Sequence, residues 1–191
     1  MAQSKDTQQK LYEMLEALQT MVKELPDEYQ MRMPVELLAS LANTLLNEAI
    51  FEIANGLSDI QHVTEKHLMH QRLQLLSRQK TEKSNLCKSQ QQAMEETNSL
   101  HHPQLIQSVI TSQEMEREAV AIKHREELKQ HDMRLILQLD QKVSEQQTAL
   151  EKAGVPGFYA STNPQEVQSQ MYLLGFIQRL SEKYGPSQTS F

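Results

Sequence analysis

Residues 103–154 decide the fold class, and they read PQLIQSVITSQEMEREAVAIKHREELKQHDMRLILQLDQKVSEQQTALEKAG. The stretch begins with a proline, ends with a glycine and contains neither in between. Proline disrupts a helix interior but fits the first helical position, and glycine suits the left-handed residue that follows a helix. We therefore predict one helix from Pro103 to Ala153, roughly 75 Å long at a rise of 1.5 Å per residue.

The other prolines and glycines predict three more helices. The first begins near Asp6 or Thr7 and ends before Pro26. The second begins at Pro34, meets no further proline before Pro103, and is expected to run unbroken for roughly 95 Å. The fourth follows the sequence NPQE at residues 163–166, in which asparagine caps the helix, proline takes its first position and glutamate bonds back to the cap.

The predicted fold is all-α, a long antiparallel helical hairpin with a small helical bundle at its base. The two long helices are polar on most faces and are joined by a short connection, so they must pair with each other. No aromatic residue lies between Phe51 and Phe158, and aromatic rings suit a wide core better than a two-helix seam. We predict a single elongated helical domain over residues 1–191, with a base at 6–57 and 139–184, a coiled-coil arm at 58–138 and a tip near 99–104.

Composition narrows the class of protein. Apolar residues make up 38% of the chain, enough for a narrow helical seam but not for a large core. The net charge of −6, without a run of Lys and Arg, argues against direct binding to nucleic acid. The single cysteine, Cys87, fits a reducing compartment, and the N-terminus lacks the apolar core of a signal peptide. We expect an intracellular protein of the cytoplasm or nucleus, neither secreted nor transmembrane.

No catalytic, cofactor-binding or metal-binding motif is recognisable. The glycines are isolated, and neither a Gly-x-Ser-x-Gly elbow nor a His-Glu-x-x-His pair occurs. His67 and His70 have the spacing of two zinc ligands, but Cys87 lies roughly 25 Å further along the same helix. We therefore expect no enzyme, no cofactor and no metal site. The remaining histidines of this helix and of the tip are interpreted as exposed polar residues, with a weak metal site at the tip as the alternative: His62, His101 and His102.

The third helix carries two competing apolar registers. One passes through Met115, Ala119, Ile122, Met133, Ile136 and Val143, and the other through Leu128, Leu135 and Leu139. Two overlapping stripes exceed what one antiparallel helix can cover, and a surplus apolar face marks a place for another chain. We predict a homodimer or a different helical partner, with Leu128 and Leu135 as the self-association residues. The alternative is that the first and fourth helices cover this surface. His124 and His131 are expected to flank the seam, where partial burial would make it sensitive to pH.

The loop at residues 155–163, VPGFYASTN, is the part least like a coiled coil. One interpretation is a docking loop that presents Phe158 and Tyr159 to a partner. The other, which we favour, is that these rings fill the core of the base together with Phe51 and Phe176, because few other residues supply aromatic bulk there.

Several segments resemble a known family. They are MVKELP at 21–26, FEIANGL at 51–57 with IQHVTEK at 60–66, and LDQKV at 139–143 continuing through LEKAGVPGFY at 150–159 to TNP at 162–164. Together they resemble the gonadal protein family, which includes the DiGeorge syndrome critical region 6 proteins of vertebrates, over nearly the whole chain. The resemblance implies a link to gonadal expression and to development, with no established enzymatic activity and no catalytic residues to carry over.

Two functional hypotheses follow. The first is a non-enzymatic helical interaction or scaffold protein that acts in gametogenesis or development by binding partner helices along apolar stripes. The second, which the resemblance also implies, is a nuclear regulator associated with nucleic-acid complexes. A gel shift that weakens as salt rises would indicate contact with phosphates and favour the second hypothesis.

Overall fold

The computed structural model describes residues 2–186, and throughout that range the regular structure is helical. The helices are α1 Ala2–Lys23, α2 Asp27–Gln30, α3 Val35–Thr44, α4 Ala49–Ser99, α5 Pro103–Lys152 and α6 Pro164–Tyr184. The long helices α4 and α5 pack antiparallel, and the shorter N-terminal helices form a small cluster. The prediction of an all-α fold built on a helical hairpin is therefore confirmed.

The chain divides into two compact units. The base unit comprises the described residues up to His62 and from Asp140 onward, and the hairpin unit comprises Val63–Leu139. Helices α4 and α5 each contribute residues to both units.

The prediction of an unbroken second helix is wrong. The chain turns between Thr44 and Ala49 and forms two helices, α3 and α4, which meet at a bend of 100°. The Leu46 and Asn47 amides donate only three residues back, which tightens and ends α3. The Asn47 side chain then accepts a hydrogen bond from the Ala49 amide at 3.2 Å, as a helix cap does. The break lets residues on both sides of it, such as Leu41 and Phe51, enter one core.

The first helix also departs from its predicted bounds. It begins at Ala2 rather than near Asp6, because nothing between these residues breaks a helix. A short helix that was not predicted, α2, follows Pro26, with Asp27 and Glu28 in its first turn, where acidic groups favour the helix dipole.

The core of the base unit combines residues from five helices. Its fully buried large side chains come from α1, α3, α4, α5 and α6 and from the α3–α4 turn: Met14, Leu18, Leu38, Leu41, Leu45, Phe51, Leu150, Leu173 and Ile177. Complete burial of each such side chain contributes about 1.5–3 kcal/mol to stability. Some apolar residues of α4 lie on its surface, since Ile53, Ile60 and Val63 are exposed.

The end of α5 and the start of α6 follow the sequence signals closely. Gly154 has a φ of +76°, and the Gly154 and Val155 amides bond back to the Glu151 and Leu150 carbonyls, the paired bonds of a glycine-terminated helix. Asn163 caps α6 by accepting from the Gln165 amide at 3.0 Å, as predicted. 

The predicted direct bond from Glu166 to the backbone of the cap is replaced by a relay. The Ser161 hydroxyl accepts from the Asn163 amide at 3.1 Å and itself donates to Glu166.

Among residues 2–186, no single helix combines the length and the apolar character needed to cross a bilayer. Helices α3 and α4 meet those requirements only when they are taken together across their bend. The most apolar face of α3, with Leu38 and Leu41, is buried in the core of the base unit.

Candidate interaction surfaces

The four aromatic residues singled out from the sequence divide into core and surface. Phe51, Phe158 and Phe176 are buried in the core of the base unit, whereas Tyr159 remains 44% exposed. The first three rings therefore fill the core, as favoured. Tyr159 is the only one of the four that the structure leaves open to a partner.

Two buried glutamines hold the loop that carries Tyr159. Gln147 of α5 donates to the Ser161 carbonyl at 3.1 Å and accepts from the Ser161 amide at 3.2 Å. Gln170 of α6 donates to the Tyr159 carbonyl at 3.0 Å. Both side chains are almost fully buried, so their bonds fix the loop against two helices. Sequence analysis missed these residues, because a glutamine on a helix is usually exposed.

A second surface of the base unit is a groove between α1 and α6, whose charged residues pair with one another. Lys183 lies 3.5 Å from Glu13, and Arg179 lies 3.5 Å from Glu24. The Tyr184 hydroxyl donates to Glu13 at 3.0 Å, and this bond is the main reason that the pKa of Glu13 is lowered. Both basic residues of the groove are therefore paired with carboxylates of the same chain, which leaves no unpaired cation in it to attract an anion.

The seam of the hairpin unit is unusually polar. Its buried apolar residues are Leu68, Leu75 and Leu135, and its buried polar residues are Gln79, Gln90, Thr97 and His124. Gln90 and Gln113 each donate to the other's backbone carbonyl, at 3.2 and 2.8 Å. Gln90 also donates to Glu116 at 2.8 Å and accepts from Arg117. The glutamines thus join α4 to α5 where leucines would stand in an ordinary coiled coil.

His124 lies in the same seam and is almost fully buried. Its Nε2 lies 2.7 Å from Glu82, and this hydrogen bond is the main reason that the pKa of Glu82 is lowered. Next along the seam, Gln79 donates to Glu127 at 3.0 Å, and this bond, with Arg78 nearby, lowers the pKa of Glu127.

Arg72 and Asp132 form a two-pronged ion pair between α4 and α5. The guanidinium donates to both carboxylate oxygens, at 2.8 and 3.1 Å. A bidentate pair of this kind restricts the geometry of the two side chains as well as stabilising their charges. The hydrogen bond from Arg72 also lowers the pKa of Asp132.

We expect the hairpin unit to weaken in acid. Glu82, Glu127 and Asp132 have lowered pKa values in the folded chain, so their contribution is present above the ordinary values of 4.5 and 3.8. It is lost as pH falls through the lower folded values. The midpoint of thermal unfolding, followed by circular dichroism, should therefore drop between about pH 6 and about pH 3.

The matched control is the triple variant Glu82→Gln, Glu127→Gln and Asp132→Asn. It should melt lower than the wild type near neutral pH and lose less on acidification. An equal loss in the triple variant would place the acid sensitivity elsewhere, for example at Glu13 and Glu145 of the base unit, whose pKa values are also lowered.

The histidines and the cysteine do not come together. Gln71 and Gln74 lie 2.9 Å from the Nε2 atoms of His67 and His70, one helical turn earlier. His101 takes a left-handed conformation at the turn after α4, with a φ of +52°. In the described part of the chain, no group of three or more His, Cys, Asp or Glu residues is arranged to hold a metal ion. The remaining three candidates are all exposed: His62, Cys87 and His102.

The two competing registers of α5 lie on different faces. Leu135 is 9% exposed and Leu128 is half-buried in the seam of the hairpin unit. Because Leu135 is buried and Leu128 is partly buried within one chain, these two leucines offer less surface for self-association than the sequence led us to expect. The other register is the uncovered one, since Met115, Ile122 and Met133 are all exposed.

Comparison with known proteins gives relatives over nearly the full length. The family model described as DiGeorge syndrome critical region 6 (DGCR6) protein matches residues 1–188. The protein DGCR6 of Gallus gallus is 42% identical over 184 residues, which cover 96% of this chain and 90% of the relative. The gonadal protein gdl of Drosophila melanogaster is 38% identical over 180 residues, which cover 94% of this chain and 84% of the relative. No solved structure matches the chain.

Proposed function

Because this chain belongs to the DiGeorge syndrome critical region 6 family, in which gonadal protein gdl is a relative, we propose that it is a non-enzymatic helical interaction protein acting in the gonad or in development. The tissue is suggested by the name of the fruit-fly relative. The mechanism is suggested by the surface of this chain, where the base unit supplies a stable core and the hairpin unit presents helical faces.

The observation that carries the proposal is the exposed apolar face of α5. Met115, Met133 and Ile136 remain exposed on a helix whose opposite face is already packed against α4. A set of exposed apolar side chains at helical spacing marks a surface that another helix covers. Among the described residues, no group of three or more His, Cys, Asp or Glu side chains is arranged to hold a metal ion.

The experiment that tests the proposal is affinity purification from gonadal tissue with two matched double variants. Ile122→Glu with Ile136→Glu places charge on the exposed face of α5. Met69→Glu with Leu73→Glu makes the same change at exposed apolar residues of α4 in the same unit. We expect the first variant to lose proteins that the wild type and the second variant both retain. Equal retention by all three would contradict the proposal.

A further inference from the structure

The exposed face of α5 follows a strict heptad spacing. Its members lie alternately four and three residues apart and are all exposed; we call them the outer stripe: Met115, Ala119, Ile122, Glu126, Lys129, Met133 and Ile136. This is the spacing at which side chains of one helix insert between those of another. Ile122 is 49% exposed, and Met133 and Ile136 are each 56% exposed, so the apolar positions are open to a second helix.

The outer stripe can pair with an antiparallel copy of itself, because apolar residues then face apolar residues and an acidic residue faces a basic one. From residue 119 to residue 136 it consists of two apolar residues, Glu126, Lys129 and two apolar residues. If a second copy lies antiparallel, Ile122 faces Met133 of that copy and Ala119 faces its Ile136. Glu126 then faces Lys129 of the second copy, and the two-fold symmetry repeats every pair.

Charge determines the orientation. Within residues 2–186, the side chains of Glu126 and Lys129 form no hydrogen bond or ion pair, so both are available to a partner. A parallel arrangement would bring each of these residues opposite its own copy, and like charges in a helical seam are strongly unfavourable. The flanking positions agree with the antiparallel register, because it brings Arg125 beside Asp132 of the second copy, although Asp132 already binds Arg72.

We propose that the outer stripe of α5 is a docking surface for a second copy of this chain, which binds antiparallel with Glu126 and Lys129 paired across the two-fold axis. The proposal rests on the proposed function and names one partner for it. The apolar pairs supply the contact, and the paired charges in the centre set its register, as a single polar layer does in other coiled coils.

The test is the mass of the full chain in solution, measured by light scattering at about 100 µM.

The single variants Glu126→Lys and Lys129→Glu each place like charges opposite each other. Each should weaken association by at least about tenfold. The double variant restores the opposite pairing and should recover the dimer. Glu114→Lys changes the same type of residue on the same helix, outside the stripe, and should leave the mass unchanged. All three positions are exposed, and circular dichroism of each variant checks that it remains folded.

The wild type and the double variant should have a mass of about 44 kDa, which is twice the 22.0 kDa of one chain. The single variants should have a mass close to that of one chain. A wild type that stays at one chain would overturn the self-docking proposal while leaving the interaction function standing, because that function is tested separately by binding to other proteins. Single variants that remain dimeric would overturn the register. A partner protein that is lost with Glu126→Lys and is not recovered by the double variant would assign the stripe to a different chain and also overturn the proposal.

Discussion

Replacing Phe51 with alanine should destabilise the protein by about 3–5 kcal/mol, one of the two largest effects that the structure predicts. Phe51 is fully buried and follows directly on the turn that separates α3 from α4. Removing its ring leaves a cavity in the core of the base unit, which the surrounding helices can fill only in part. Urea denaturation followed by circular dichroism measures the loss.

The matched control for this experiment is Tyr12→Ala. Tyr12 also carries an aromatic ring in the base unit, but most of its side chain is exposed. Its replacement should change the free energy of unfolding by no more than about 0.5 kcal/mol. Comparable losses for the two variants would contradict the placement of Phe51 in the core.

Gly157→Ala should be the second large effect, and Gly154→Ala provides its comparison. Both glycines have a positive φ, so either substitution costs about 1–2 kcal/mol in backbone strain. An added Cβ at Gly157 would lie 2.7 Å from Cδ1 of Leu173 and 3.4 Å from Cδ1 of Leu37, whereas an added Cβ at Gly154 would meet open space. Because Leu173 is buried and cannot turn away freely, overpacking adds about 1–3 kcal/mol at Gly157.

The two glycine variants are measured by the same denaturation experiment. The expected order of stability is wild type, then Gly154→Ala, then Gly157→Ala. If Gly154→Ala were the less stable of the two, the close contact between the 155–163 loop and α6 would be contradicted.

The parts of the fold that the sequence predicted are those fixed by local rules. The start of α5 at Pro103, its end at Gly154 and the cap of α6 at Asn163 depend on groups within a few residues of each boundary. Such boundaries can be predicted without knowledge of the rest of the chain.

The parts that were missed depend on contacts between distant residues. Asn47 lies in the turn after α3 and caps α4. An asparagine inside an apolar stretch does not by itself predict a bend. The bend is stabilised because it places Leu41 and Phe51 in the same core. Similarly, Gln90 and Gln147 have the composition of exposed helix residues. Only the pairing of α4 with α5, and of the loop with α5, places backbone groups where these amides bind them.

The exposed apolar face of α5 was also predicted only in part. Both apolar registers of α5 were recognised from the sequence, and their coexistence predicted a surface for another chain. Which register faces outward depends on the register of α4 against α5, set by pairs such as Arg72 with Asp132. The sequence therefore predicted the presence of a surplus face but selected Leu128 and Leu135, which lie on the covered side.

We expect the outer stripe of α5 to be the surface through which this protein binds other chains, and site-specific photo-crosslinking can detect that binding. A photo-reactive residue replaces either Ile122, on the stripe, or Gln91, an exposed residue of α4 in the same unit, in the full chain expressed in gonadal cells. Covalent adducts with another chain should form from position 122 and not from position 91. Adducts from position 91 alone, or equally from both positions, would show that the stripe is not the binding surface.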